Sequence, residues 1–170
     1  MSNEIHPSTE EAGARRLILL GAVLFLLGLL SGLVTGLMAN PRMGLSAHMQ
    51  GLTNGVFLIA LGAIWHLVHL PPRLKSITFW LFAFGTSVNW LMTQLAALWG
   101  TGRMTPIIGA GHEGTAFQET LVTTGLLALT LTMIVGIVLL IVGLVRKAKG
   151  GLSEAIPTIH PSGPNIPERS

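Results

Sequence analysis

The sequence predicts an all-α fold, a bundle of four transmembrane helices with both termini cytoplasmic. Three observations predict it. Half of the 170 residues are hydrophobic and only 10% are charged, a balance too apolar for a water-soluble globule. The apolar residues gather into four runs, each of about the 20 residues needed to cross a hydrocarbon core. Basic residues flank these runs instead of forming a stripe, so the net charge of +3 reads as a topology signal and not as affinity for nucleic acid.

Residues 1–16 are expected to form a disordered or helical cytoplasmic lead with Glu10 and Glu11, and no small-residue cleavage pattern follows the next apolar run, which argues against a signal peptide. The first span is expected over residues 17–39 and ends at Asn40-Pro41, because the residue before a proline is pushed out of helical geometry. The second covers 47–70 and stops at Pro71-Pro72. The third covers 77–99, after a basic connection with Arg73 and Lys75, and the fourth covers 120–145, after a longer polar loop. The membrane domain is therefore 17–146. Residues 147–170, with Pro157, Pro161, Pro164 and Pro167 and little to bury, are expected to form a disordered cytoplasmic tail. Arg15 and Arg16 precede the first span, Arg73 and Lys75 join the second to the third, and Arg146, Lys147 and Lys149 follow the fourth, whereas the other two loops hold only Arg42 and Arg103. This asymmetry places both termini in the cytoplasm and the other two loops outside.

The chain contains no cysteine, tyrosine or aspartate, which removes disulfides, thiolate ligands and several acid or base candidates. Chemistry must come from polar residues set into apolar helices, each of which is by default either packing glue or a site. They converge in the outer half of the membrane: His48, Gln50 and Asn54 on the second helix, Thr86, Ser87, Asn89, Thr93 and Gln94 on the third, and Glu119, Thr120, Thr123 and Thr124 on the fourth. One pocket walled by these three helices is the economical expectation. At roughly 100° per residue, Gly51 and Gly55 lie near His48, whereas Gln50 and Asn54 share another face. The His48 face, lined by small residues, suits close approach by a neighbouring backbone or a planar cofactor; the alternative is a headgroup-region histidine. Gly28, Gly32 and Gly36 read as a packing seam, within the chain or between protomers. Trp65, Trp80 and Trp99 read as belt residues at the membrane surface, and Trp90 as a pocket residue. His66 and His69 read either as interface histidines or as a metal pair at helical spacing. His112 lies in a glycine-rich outer loop that is either a lid or a turn.

Residues 40–65 carry a resemblance. The segment NPRMGLSAH, leading into a glycine-flanked NGVFL, resembles the hydroxylaminobenzene mutase family of small bacterial membrane isomerases, and the similarity extends from LLGLLSGL in the first helix to SVNW in the third. It implies a multi-pass protein of the bacterial inner membrane that rearranges aryl hydroxylamines to 2-aminophenols. A fainter similarity is to styrene oxide isomerase, through Ala47-His48 followed by Asn54-Gly55. That resemblance implies a homotrimer with haem b between protomers, His48 as the iron ligand, and ferric iron acting as a Lewis acid. The third-helix tyrosine and aspartate of that relative have no counterpart here, and Asn89 in SVNW is the replacement candidate. Together the resemblances imply Asn54, Asn89, Gln50, Gln94 and Thr93 as the catalytic set. They imply His48, Gly51, Gly55, Arg42 and Arg103 as the cofactor set, with Asn54 reaching the haem of a neighbouring protomer and the arginines pairing with propionates.

Two other classes remain on the sequence. A haem-bearing electron carrier normally wants two strong axial ligands, and the outer half offers no second histidine besides His112. A non-catalytic membrane scaffold needs only the glycine seams. A transporter would want a charge near mid-membrane to couple ions.

Overall fold

A computed structural model describes residues 9–146, and within it the second to fifth helices each start where a side-chain cap or a proline sets the first turn. In chain order the elements are α1 (Thr9–Val34), α2 (Pro41–Ala63), α3 (Pro72–Trp99), a single-turn α4 (Pro106–Gly109) and α5 (Ala116–Val145). Short 3₁₀ turns, Thr35–Leu37 and Trp65–Leu67, follow α1 and α2. There is no strand among the described residues, so the all-α expectation holds. Helices α1, α3 and α5 are long and apolar enough to cross a membrane. The 23-residue α2 carries His48, Gln50 and Asn54.

The prolines act differently from their sequence reading. Pro41 and Pro72 each stand at the start of a helix, where a missing N–H costs nothing and a fixed φ is already helical. Asn40 caps α2 by accepting from the Met43 N–H at 3.1 Å. Helix α2 therefore begins six residues before the expected 47 and ends at Ala63, well short of 70. Likewise α1 ends at Val34, before the expected 39, and begins at Thr9 inside the expected lead. Residues 1–8 and 147–170, the latter the whole of the expected tail, lie outside the described residues.

The helices stand in an open row. Helix α1 packs mainly on α2, α2 also on α3, and α5 on α3. The α1–α2 contact is a glycine seam. A Cβ on Gly51 would stand 2.4 Å from the Gly28 Cα, and one on Gly55 2.7 Å from the Gly21 O. The backbones touch, which small residues permit in apolar surroundings. The expected Gly28 and Gly32 do lie on this seam, but its partner is this chain's own α2, and Gly36 faces open space. Between α2 and α3 the core centres on Phe82, fully buried and edge-on to Phe57 at 5.2 Å. Gly136 of α5 lies against the Phe82 ring, and Gly125 makes room for Met92.

Asn40 ties the outer end together. It is 1% exposed, its backbone N–H donates to the Ala97 O at the end of α3, and its Nδ2 donates to the Ile108 and Gly109 carbonyls of α4. A single asparagine thus fixes the mouth of α2 relative to α3 and the outer loop.

Candidate functional site

His48 is the eighth residue of α2, counting Pro41 as the first, so it lies two turns inside the helix instead of in its opening turn. Its Nδ1 is 2.8 Å from the Gly28 carbonyl of α1. A carbonyl only accepts, so Nδ1 carries the proton, and the uncharged tautomer with that proton has its lone pair on Nε2. Nε2 has no hydrogen-bond partner among the described residues. Gly32 makes the socket: a Cβ there would stand 2.6 Å from Nδ1 and 3.0 Å from the next ring carbon. The ring is half-buried, and the side chains beside it on α2, Leu45 and Met49, are 57% and 50% exposed.

Gln50, Asn54, Asn89 and Thr93 lie on the α2–α3 contact. Asn89 Nδ2 donates to Gln50 Oε1 at 2.9 Å. That bond leaves Gln50 Nε2 as a donor and Asn89 Oδ1 as an acceptor, both without protein partners among the described residues. Both residues are half-buried. Thr93 Oγ1 donates to the Asn89 carbonyl at 2.6 Å. Asn54, 9% exposed, donates to the Thr86 carbonyl at 3.2 Å. Its amide N–H is thus held within its own chain, between α2 and α3.

Gln94 joins a different group. Its Oε1 accepts from Ser31 Oγ of α1 at 2.8 Å, and Trp90 Nε1 donates to the same Ser31 Oγ at 3.2 Å. Ser31 is 4% exposed and was missed on the sequence; the signal was a lone hydroxyl inside LLGLLSGL. The polar groups of α5 stay apart from both. Glu119, 4% exposed, accepts from the Gly102, Arg103 and Gly114 N–H groups at 3.0, 3.1 and 3.0 Å, stapling the outer loop. Thr120 bonds back to Ala116 and is exposed, as is Thr124, and Thr123 Oγ1 is buried without a partner. The one pocket expected between the second, third and fourth spans is thus divided into an α2–α3 amide pair, an α1–α3 hydroxyl network and a loop staple.

The remaining candidates separate by position. Gly51 and Gly55 meet the backbone of α1, so that backbone, and not a flat ligand, lies on them. Arg42 is exposed in the first turn of α2. Arg103 lines a loop cavity of about 290 Å³ together with His112, Glu113 and Glu119. His112 Nδ1 donates to the Gly109 carbonyl at 3.0 Å, the bond of a turn. His66 and His69 fall beyond the end of α2, so helical spacing does not bring them together. No group of three or more His, Cys, Asp or Glu side chains gathers to hold a bare metal ion among the described residues. Trp65, expected in the surface belt, is 3% exposed and belongs to the core.

The family model for styrene oxide isomerase matches residues 13–145. The chain is 49% identical over 156 residues to hydroxylaminobenzene mutase HabB of Ectopseudomonas oleovorans, covering 91% of this chain and 94% of that protein. It is 45% identical over 127 residues to hydroxylaminobenzene mutase HabA of the same organism, covering 74% of this chain and 94% of that one. No solved structure matches it.

Proposed function

The chain belongs to the styrene oxide isomerase family and is an enzyme of the isomerase or mutase type, and on that premise we propose that it rearranges aryl hydroxylamines such as hydroxylaminobenzene to 2-aminophenols. The reaction conserves every atom. The N–O bond breaks with its electron pair on oxygen, that oxygen bonds the ortho ring carbon, and the proton lost from this carbon ends on nitrogen.

The observation that carries the reading is the pinned ring of His48. Its Nδ1–H is held by the Gly28 carbonyl, an arrangement that fixes tautomer and orientation in metal-ligating histidines, and Nε2 is left to donate. A single such ligand suits haem b, which brings four nitrogens of its own, better than a bare ion, for which no cluster of ligands exists among the described residues. When bound to Nε2, the ferric haem supplies a Lewis acid that draws electron density from the N–O bond without a protein acid.

The chain's own residues do the rest. Gln50 Nε2 and Asn89 Oδ1, joined by the Asn89–Gln50 hydrogen bond on a different face of α2 from His48, offer a donor to the hydroxylamine oxygen and an acceptor to its N–H for substrate held beside a neighbouring copy's His48. Thr93 anchors the Asn89 backbone. Gln94 and Asn54 hold α1, α2 and α3 in register, which keeps His48 and the amide pair at fixed positions. Arg42, on the same helix as His48, keeps the propionate role, whereas Arg103 belongs to the loop cavity. Apolar surroundings exclude bulk water, which would otherwise attack the para position.

We extend the three apolar helices to four spans. The polar groups of α2 are matched by neighbours, His48 by Gly28, Gln50 by Asn89 and Asn54 by Thr86, as a helix in hydrocarbon requires. Both termini then lie in the cytoplasm of a bacterium whose inner membrane holds the protein, and copies assemble as a trimer with the haem between protomers.

The test is an absorption spectrum of the detergent-purified protein, oxidised and reduced, beside hydroxylaminobenzene turnover with product identification. The wild type is expected to show a Soret band that shifts on reduction and to form 2-aminophenol. His48→Ala is expected to lose the band and about 100-fold or more of the turnover, the scale of several kcal/mol of Lewis-acid stabilisation. A His48→Ala protein with full haem and full turnover overturns the scheme, and a colourless wild type that still forms 2-aminophenol discards the haem while keeping the isomerase.

A further inference from the structure

Gly13 and Gly32 lie on the same helix, 19 residues and roughly 28 Å apart, and the end of the molecule marked by Gly13 holds a second concavity. There the start of α1, the turn after α2 and the first turns of α3 enclose a cavity of about 590 Å³. Trp65, Phe79 and Trp80 form its apolar wall, ring against ring in edge-on contacts at 6.5 and 5.3 Å. Arg16, Lys75, Ser76 and Glu10 form its polar wall. Lys75 is ion-paired to Glu10 and stands 5.6 Å from the centre of the Trp65 ring. Its side chain is 13% exposed, against 55% for Glu10, so the cation is the inner partner. Two cations face one carboxylate, leaving Arg16 as surplus charge.

Trp65 adds an independent observation. The residue is 3% exposed, lines this cavity, and its indole N–H has no acceptor among the described residues. Gly13 makes room for that N–H, since a Cβ there would stand 3.1 Å from Nε1. A donor at a cavity wall that has no partner among the described residues is available to an acceptor entering the cavity.

We propose that this cavity binds the phosphodiester headgroup of an anionic phospholipid, on the membrane reading given above. Arg16 and Lys75 neutralise the phosphate, the Trp65 N–H donates to an ester or phosphate oxygen, and Trp80, 65% exposed, packs on the glycerol and upper acyl chain. A neutral aryl hydroxylamine would leave the surplus cation unpaired, whereas a phosphodiester matches it. Basic pockets beside aromatic residues at the cytoplasmic face suit such headgroups. Arg15 and Arg73, near the starts of α1 and α3, and Arg146, after the end of α5 that the His69 N–H ties to the segment after α2, add to its positive field.

The test measures thermal stability and native-mass-spectrometric lipid occupancy of the full-length protein in micelles doped with phosphatidylglycerol or with phosphatidylcholine. Phosphatidylglycerol is expected to occupy the protein preferentially and to raise its unfolding temperature. Arg16→Gln is expected to lower that preference about fivefold, the worth of one basic side chain at an anionic lipid surface. Glu10→Gln frees Lys75 and is expected to raise the preference. A purely structural role for the ion pair predicts no gain in lipid preference from Glu10→Gln, and that result overturns the site. Equal occupancy by the two lipids in the wild type also overturns it. An equal effect of free glycerol phosphate assigns the cavity to a soluble phosphoester and overturns the lipid. Hydroxylaminobenzene turnover by both variants in phosphatidylcholine is expected to match the wild type and reports their folding. Release of the wild type from membranes by alkaline carbonate would overturn the membrane reading and this inference with it, whereas loss of the isomerase reading alone would leave the lipid preference standing.

Discussion

At His48 the decisive partner is a backbone atom. The histidine itself was legible as a polar residue in an apolar helix, but the Gly28 carbonyl that orients its ring belongs to no side chain and leaves no mark in the sequence. Gln50 and Asn89 were legible as members of one outer cluster. Their direct bond was not, because it depends on which faces of α2 and α3 meet. That bond has a measurable consequence: two residues that act as one unit lose their effect together. Gln50→Ala and Asn89→Ala are each expected to lower turnover about 10-fold or more, with the double variant little worse than either single one, as for coupled neighbours. Both are also expected to release a share of 4-aminophenol, because a loosened intermediate meets water. Product ratios from the singles and the double check this, and additive losses would separate the two residues.

Between elements, the readings that failed share one cause. Pro41 and Pro72 were taken to stop helices, yet each starts one; a proline is read by its place relative to a cap, and Asn40 supplies that cap at α2. The glycines were legible as small residues in register, while their partner was not. Gly28 meets Gly51 of the same chain, and Gly36 meets nothing within 4 Å. The seam predicts a contrast between two alanine substitutions of identical chemistry. Gly51→Ala forces α1 and α2 apart, because its Cβ would stand 2.4 Å from the Gly28 Cα. It is expected to cost about 1–3 kcal/mol in stability and to weaken retention of any group held by His48. Gly36→Ala is expected to leave both unchanged. Unfolding in detergent and cofactor retention, measured on the two variants, check the pair.

For the molecule as a whole, the apolar runs announced an all-helical chain, but not the order in which its helices pack. Helix α5 leans on α3, and only 17% of its most apolar window is buried within the chain; no pattern within one helix reveals which of its neighbours lies beside it. The open row predicts that α1 to α3 form a unit and that α5 docks onto it. Two fragments divided near Gly111, in the loop between α4 and α5, are expected to associate when co-expressed and to recover most of the turnover. Turnover and co-purification of the two pieces check this, and separate, inactive pieces would show that α5 must be covalently joined. The exposed Leu45 and Met49 beside His48 bear on supply. For the function proposed, a reactant made by nitroarene reduction reaches such a site sideways, through lipid, so its partition into the bilayer sets the concentration that the enzyme meets. The membrane then serves as the reservoir in which a short-lived hydroxylamine waits, and greasier reactants queue more densely at the same door.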